Sequence, residues 1–276
     1  MAEHPRVRTY AARRRVSPLT RERLATLGPL WSLPPGPLRP AAAFGRQVPL
    51  VVEIGCGHGE AAIAYAVSHP THDVVAVDTH TPGIARLLAA AEASGAAGSP
   101  ADGEAPGALG RSAVSAVASA VASTAASTAV STAAATAGAR PARAATGAGP
   151  AASGVPNLRI ELTDAVAFLE ERVGVAMLDA AHLFFPDPWP KARHAKRRLV
   201  SGRLLELLTS RLKPGGHLLL ATDHPGYAAY AIAQVRAHGA LVPARAGRPY
   251  WRPCGGFEAR ALASSREVIE IRAERP

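Results

Sequence analysis

Five short apolar runs, each followed by a helical pattern, constrain this chain more than any other feature. They read PLVVEIG at 49–55, DVVAVD at 73–78, NLRIEL at 157–162, AMLDAAHLFF at 176–185 and HLLLATD at 217–223. Helical spacing of apolar residues follows at 59–68, 82–92, 164–173, 201–212 and 225–238, the fourth stopping at LKPGG. Near-continuous apolar strands belong inside a sheet covered on both faces, and strands separated by helices pair in parallel. The expected fold is therefore α/β, a mostly parallel twisted sheet with helices on both sides. REVIEIRAE at 266–274 reads as a late edge strand.

The alternation breaks once. Of the 62 residues in 93–154, 52 are Ala, Gly, Ser, Thr or Pro and none is aromatic. Such a segment buries too little apolar surface to offset its ordering entropy and reads as a disordered insert in a surface loop. Residues 113–136 carry no charge and are long enough to span a bilayer, but with four Val and no Leu, Ile or Phe they are too weakly apolar to insert. No secretory signal is expected, because residues 1–23 hold seven Arg and no apolar stretch. The division expected is a basic arm over 1–48 and a catalytic domain over 49–276, interrupted by the insert. A cytoplasmic protein without a membrane partner fits that pattern.

Charge and cysteine narrow the partners. Lys and Arg total 31 against 21 Asp and Glu, a net charge of +10, which favours polyanions, nucleic acid first. The two cysteines, Cys56 and Cys254, lie far apart without Cys or His ligand spacing, so neither a disulfide framework nor a metal site is expected.

The chemistry concentrates at strand ends. The first strand runs into Glu53-Ile54-Gly55-Cys56-Gly57-His58-Gly59-Glu60. Gly55 and Gly57 allow a tight turn and close approach of a ligand to the backbone. The third glycine comes one residue earlier than in the dinucleotide pattern, and Glu53 would repel a pyrophosphate but attract a cation. Asp78, 19 residues after Gly59, is placed to accept ribose hydroxyls of an adenosine cofactor, whether a nicotinamide dinucleotide or S-adenosylmethionine. Asp164 opens a helix and is placed to serve as its N-cap. FFPDPWPKARHAKRRLV at 184–200 follows the fourth strand. Its prolines stiffen the loop that carries Asp187, and Trp189 either stacks on a base or packs that loop. Lys191, Arg193, Lys196, Arg197 and Arg198, with His194 and Arg203, form either a solvated face or a set of phosphate contacts. A second basic group, Arg6, Arg8, Arg13, Arg14 and Arg15, lies in the arm.

Taken in order, RTYAARRRVSPLTRERLATL, VVEIGCGHGE, AVDTHTPGIARLL, NLRIELTDAVAFL, FFPDPWPKARHAKRRLV, LKPGGHLLLATDHPGYAAY and GGFEARAL resemble the bacterial tRNA (guanine-N7-)-methyltransferases over most of the chain outside the insert. The resemblance implies a class I, Rossmann-like methyltransferase fold, S-adenosylmethionine as cofactor and tRNA as partner, with a guanine of the variable loop, position 46 in tRNA numbering, as target. It places Glu53, Gly55, Gly57, Asp78, Asp164 and Asp187 at the cofactor, with Asp187 also catalytic. It places Lys191, Asp223, Gly255, Gly256, Phe257 and Glu258 at the substrate. The chain departs from the family where Asp78 stands for the usual Glu. It departs again where Gly255 and Gly256 replace a Thr and a basic residue. Three other readings stay open: a methyltransferase of another base or of a small molecule, a tRNA-binding protein with impaired catalysis, and an NAD-dependent oxidoreductase. The glycine spacing disfavours the last.

Overall fold

The computed structural model describes residues 16–96 and 154–276. The arginines at 6–15 and almost all of the Ala-rich segment fall outside the described residues. The strands are β1 (Leu50–Ile54), β2 (Asp73–Asp78), β3 (Leu158–Leu162), β4 (Leu178–Phe184), β5 (Leu212–Thr222), β6 (Val242–Arg245) and β7 (Ile269–Glu274). They form one sheet in the order β3-β2-β1-β4-β5-β7-β6. The first five pair in parallel, and β7 runs antiparallel between β5 and β6.

The helices are α1 (Pro18–Thr26), α2 (Gly28–Trp31), α3 (Pro40–Phe44), α4 (Glu60–Ser68), α5 (Thr81–Ala96), α6 (Ala165–Glu171), α7 (Gly202–Arg211), α8 (Pro225–His238) and α9 (Gly256–Ala263), with a 3-10 turn over Ala192–Arg197. Two buried clusters result. In one, Phe168 of α6, Leu204 and Leu208 of α7, and Tyr227 of α8 join strand residues such as Val52, Val75 and Leu220. In the other, Trp31, Ile63 of α4 and Leu87 and Leu88 of α5 join Val51, Val74 and Ala76. Neighbouring positions of β1 and β2 thus feed opposite clusters, which explains why those strands read as unbroken apolar runs.

The structure corrects the sequence reading in three places. The strand at 269–274 is interior, and the edge is β6, whose four residues VPAR carry no alternating signal. The LKPGG segment belongs to β5, which begins at Leu212, because Gly215 N–H donates to Arg275 O (2.8 Å) and Arg275 N–H to Gly216 O (2.8 Å). Residues 16–48 are not a separate arm: Trp31 is fully buried, Leu33, Leu38 and Ala43 join the main core, and Ser32 bridges to Ile160 of β3.

Candidate active site

At the carboxyl ends of the central strands lies a cavity of about 450 Å³. Order reversal between β1 and β4 opens this crevice, as expected where neighbouring strands send their connections to opposite faces. Glu53, Gly55, Gly57 and Asp78 form one wall, Phe184, Phe185 and Asp187 a second, and Arg252, Gly255, Gly256, Phe257 and Glu258 a third.

The glycine wall is shaped for a ligand. Gly55 and Gly57 take φ of +70° and +56°, and no heavy atom lies within 4 Å of where a Cβ would project from either. Gly57 N–H donates to Asp78 Oδ2 and His80 N–H to Asp78 Oδ1, both at 2.7 Å. Asp78 therefore holds the turn and still faces the cavity. Glu53 is 3% exposed and its Oε2 has no hydrogen-bond partner. Burial pushes its carboxyl up to about 8, with Arg252 opposing and Asp78 and Glu60 adding to the rise. An orphaned, buried acid beside an open glycine turn fits a cofactor that brings a cation to Glu53 and hydroxyls to Asp78.

The loop after β4 is held in an unusual backbone. Phe185 and Trp189 have φ of +51° and +40°, uncommon for residues with side chains. Phe185 N–H donates to Ala221 O of β5 at 2.8 Å. Arg198 donates from Nε to Pro188 O and from Nη2 to Trp189 O, both at 3.2 Å, and lies 4.5 Å over the Tyr230 ring. Arg197 covers the Trp189 ring at 4.8 Å while His194 meets its edge at 5.5 Å. Of the two readings of Trp189, packing the loop is the one this arrangement supports. Asp187 is exposed at the cavity wall, and partial burial of its carboxyl raises it above the usual range.

The basic run divides by role. Arg197 and Arg198 brace the loop, and Arg203 pairs with Glu170 and, at 3.6 Å, with Glu206. Lys191, Arg193 and Lys196 are exposed and make no ion pair among the described residues.

Several residues expected at the site do not line this cavity or are held by protein partners. Asp164 caps α6, accepting from Val166 N–H and Ala167 N–H at 2.9 and 3.2 Å, and does not line the cavity. Asp223 pairs with Arg266 at 2.9 Å, and neither it nor Lys191 lines the cavity. Glu258 does line it, but is 2% exposed and bound by two arginines, with Arg252 Nε at 3.2 Å. Burial pushes that carboxyl up; the hydrogen bonds and charges of Arg248 and Arg252 together outweigh this and leave it below the usual range.

Arg252 and Glu60 also line the cavity, without a role assigned from the sequence. Arg252 is 3% exposed, reaches Glu270 Oε2 from Nη1 at 3.0 Å and lies over the Phe184 and Phe185 rings at 4.8 and 5.6 Å. Glu60 begins α4 and faces the cavity beside Gly255. Neither carries a local signal: the acids that bind Arg252 come from α9 and β7, and the glycine against which Glu60 lies comes from the loop between β6 and α9.

The glycine pair has two different explanations. Gly256 has φ of +52°, which favours glycine. Gly255, at φ −133° and ψ 174°, is extended backbone open to any residue, but Glu60 Oε2 fills the place its Cβ would take.

The strand order and the turn after β1 are those of the class I methyltransferases, which take their methyl group from S-adenosylmethionine. A family model described as a putative methyltransferase matches residues 47–98 and 126–270. A Nitrosomonas eutropha protein named tRNA (guanine-N(7)-)-methyltransferase is 31% identical over 98% of this chain and 97% of its own length. One of the same name from Mycolicibacterium gilvum is 35% identical over 83% of this chain and 70% of its own. The chain belongs to the tRNA (guanine-N(7)-)-methyltransferase family. Among solved structures, the 16S rRNA methyltransferase KamB aligns over 84% of this chain and 90% of that one at 16% identity and a TM-score of 0.46, too low a likeness to bear on substrate.

Proposed function

We propose that this protein transfers a methyl group from S-adenosylmethionine to N7 of a guanine in tRNA, at position 46 of the variable loop. One observation carries the reading at the site: a single cavity has the orphaned acid Glu53 and the glycine turn on one wall and Asp187 on another. Family membership supports it independently. Among the described residues no group of three His, Cys, Asp or Glu is placed to hold a metal, and no helix is long and apolar enough to cross a membrane. A cytoplasmic location follows from the substrate.

When bound, the cofactor supplies an electrophilic methyl on a sulfonium. Glu53 would hold its ammonium and Asp78 its ribose hydroxyls, and the absence of side chains at Gly55 and Gly57 would leave room for it beside the turn. Guanine N7 has a free lone pair, so no side chain need remove a proton. During transfer, positive charge grows on the imidazole ring of the base. Asp187, fixed by the prolines and by Arg198, stabilises that charge without moving.

Asp187→Asn keeps the shape and removes the charge. We expect kcat to fall about tenfold to a hundredfold with the cofactor Kd little changed, read from labelled methyl incorporation into unmodified tRNA under saturation. Unchanged turnover excludes the electrostatic role. Retention of tRNA by the wild-type protein without incorporation favours an RNA-binding protein of impaired catalysis. A transcript lacking the variable-loop guanine should accept no label.

The division of the basic run gives a second prediction. Replacing Lys191, Arg193 or Lys196 by Ala should weaken tRNA binding and lower the slope of log affinity against log salt by about 0.7–0.9 each. Arg198→Ala should leave that slope in place and cut kcat about tenfold, because the loop loses its brace. Equal salt slopes across all four variants would remove the distinction.

A further inference from the structure

The cavity is lined by five carboxylates: Glu53, Glu60, Asp78, Asp187 and Glu258. Four have duties on the reading above. Asp78 holds the glycine turn, Glu258 is tied to two arginines, Glu53 lies at the buried end and Asp187 stands at the reacting edge. Glu60 remains. It is half-buried and makes no hydrogen bond or ion pair among the described residues. Its carboxylate lies against Gly255, and its Oε2 is 3.7 Å from where a Cβ of Gly256 would be.

The surroundings suit a nucleobase. Phe257, the next residue, is 61% exposed on the cavity rim, and the Arg260 guanidinium lies 4.5 Å from its ring centroid. A flat apolar face topped by a cation is a stacking surface for a base. Stacking does not tell guanine from adenine; an acceptor does. Guanine offers two adjacent donors, N1–H and N2–H2, where adenine offers the lone pair of N1. A carboxylate takes both guanine donors and repels the adenine lone pair. An acid without a protein partner beside a stacking face has the chemistry this discrimination requires.

We infer that Glu60 selects guanine: its carboxylate, lodged in the space left by Gly255, accepts N1–H and N2–H2 of the base while N7 is presented toward Asp187. The inference rests on the methyl-transfer reading above and adds the specificity-determining residue. It also explains the glycine at 255, whose backbone does not require one. A side chain there would push the carboxylate aside.

The test uses tRNA transcripts with guanine or inosine at the target position. Hypoxanthine keeps N7 and N1–H but lacks the 2-amino group. Wild-type protein should prefer guanine by about tenfold in kcat/KM, the effect of one hydrogen bond to a charged acceptor. Glu60→Gln should bring that preference within about twofold, with S-adenosylhomocysteine bound no more weakly than by wild type, since losing the Glu60 charge eases ionisation of Glu53. Gly255→Ala should do the same, because the atom in its way is the tip of a flexible side chain and the fold survives. In a Glu60→Ala background, Gly255→Ala should have no further effect on the ratio. Equal losses on guanine and inosine, a weakened S-adenosylhomocysteine complex, or additive effects of the two substitutions would overturn the inference alone, provided the wild-type protein forms 7-methylguanine. Failure of the wild-type protein to form it would overturn the methyl-transfer reading and the inference together.

Discussion

Glu53→Gln weakens S-adenosylmethionine binding by about a hundredfold to a thousandfold at pH 8 while making the cofactor-free protein more stable. Both effects have one origin. The carboxyl is buried, its Oε2 has no partner, and burial lifts it from 4.5 to about 8. Near neutral pH the free protein therefore keeps it mostly protonated. Bringing an ammonium group to it favours the carboxylate, so binding releases close to one proton at pH 7. The wild-type cofactor Kd should fall about tenfold per pH unit between pH 6 and 7 and level off near 8. In Glu53→Gln that slope disappears. Calorimetry in buffers of different ionisation heat reads the proton directly, and release of none would remove Glu53 from the ammonium site. The stability effect has the opposite sign to that of a salt-bridged acid. A folded-state value above the unfolded one means stability is fully present below pH 4.5 and is lost as pH rises through about 8. The Gln variant should not show this loss, and at pH 8 should exceed wild type by about 4 kcal/mol in denaturant melts.

Arg252→Met should lower stability by about 3–5 kcal/mol, roughly 10 °C in Tm, without touching any residue proposed to meet the methyl group. Arg252 holds two buried acids, Glu258 and Glu270, and removing it strands Glu270 and leaves Glu258 to Arg248 alone. A cavity-filling Met restores volume but not charge. The second consequence is electrostatic. Arg252 is the charge that opposes the rise at Glu53, so its loss should move the pH at which cofactor binding levels off above 8. A purely structural role would lower Tm and leave that pH in place. Arg252→Lys keeps the charge without the planar fork, and should recover the pH profile more fully than the Tm.

The cofactor side of the site was more legible in the sequence than the substrate side. Glu53, Gly55, Gly57 and Asp78 sit at or just beyond strand ends, and a parallel strand delivers its last residue to the same edge as its neighbours'. Knowing the strands was therefore enough to place them together, and Asp187 with them. The distant end was not legible. Asp164, Lys191 and Asp223 stand at comparable strand-end or loop positions yet do not line the cavity, because an N-cap, a solvent-facing turn and an ion pair with Arg266 claim them. Nothing within the sequence of α9 or its flanks announces that Glu258 is bound by arginines of the preceding loop.

The sequence by itself determined the five parallel strands and the helices that follow them, the glycine turn, the acids at its rim and the stiff loop of Asp187. Each depends on residues close together in the chain, where periodicity, proline and glycine act directly on the backbone. Only the tertiary structure decided three other matters. It sorted the basic run into braces and exposed cations, joined Arg252 to two acids, and set Glu60 into the space of Gly255. Those outcomes turn on which side chains meet across elements far apart in sequence. Burial and charge act through space, so the partner that fixes a side chain's role is known only once the chain has folded.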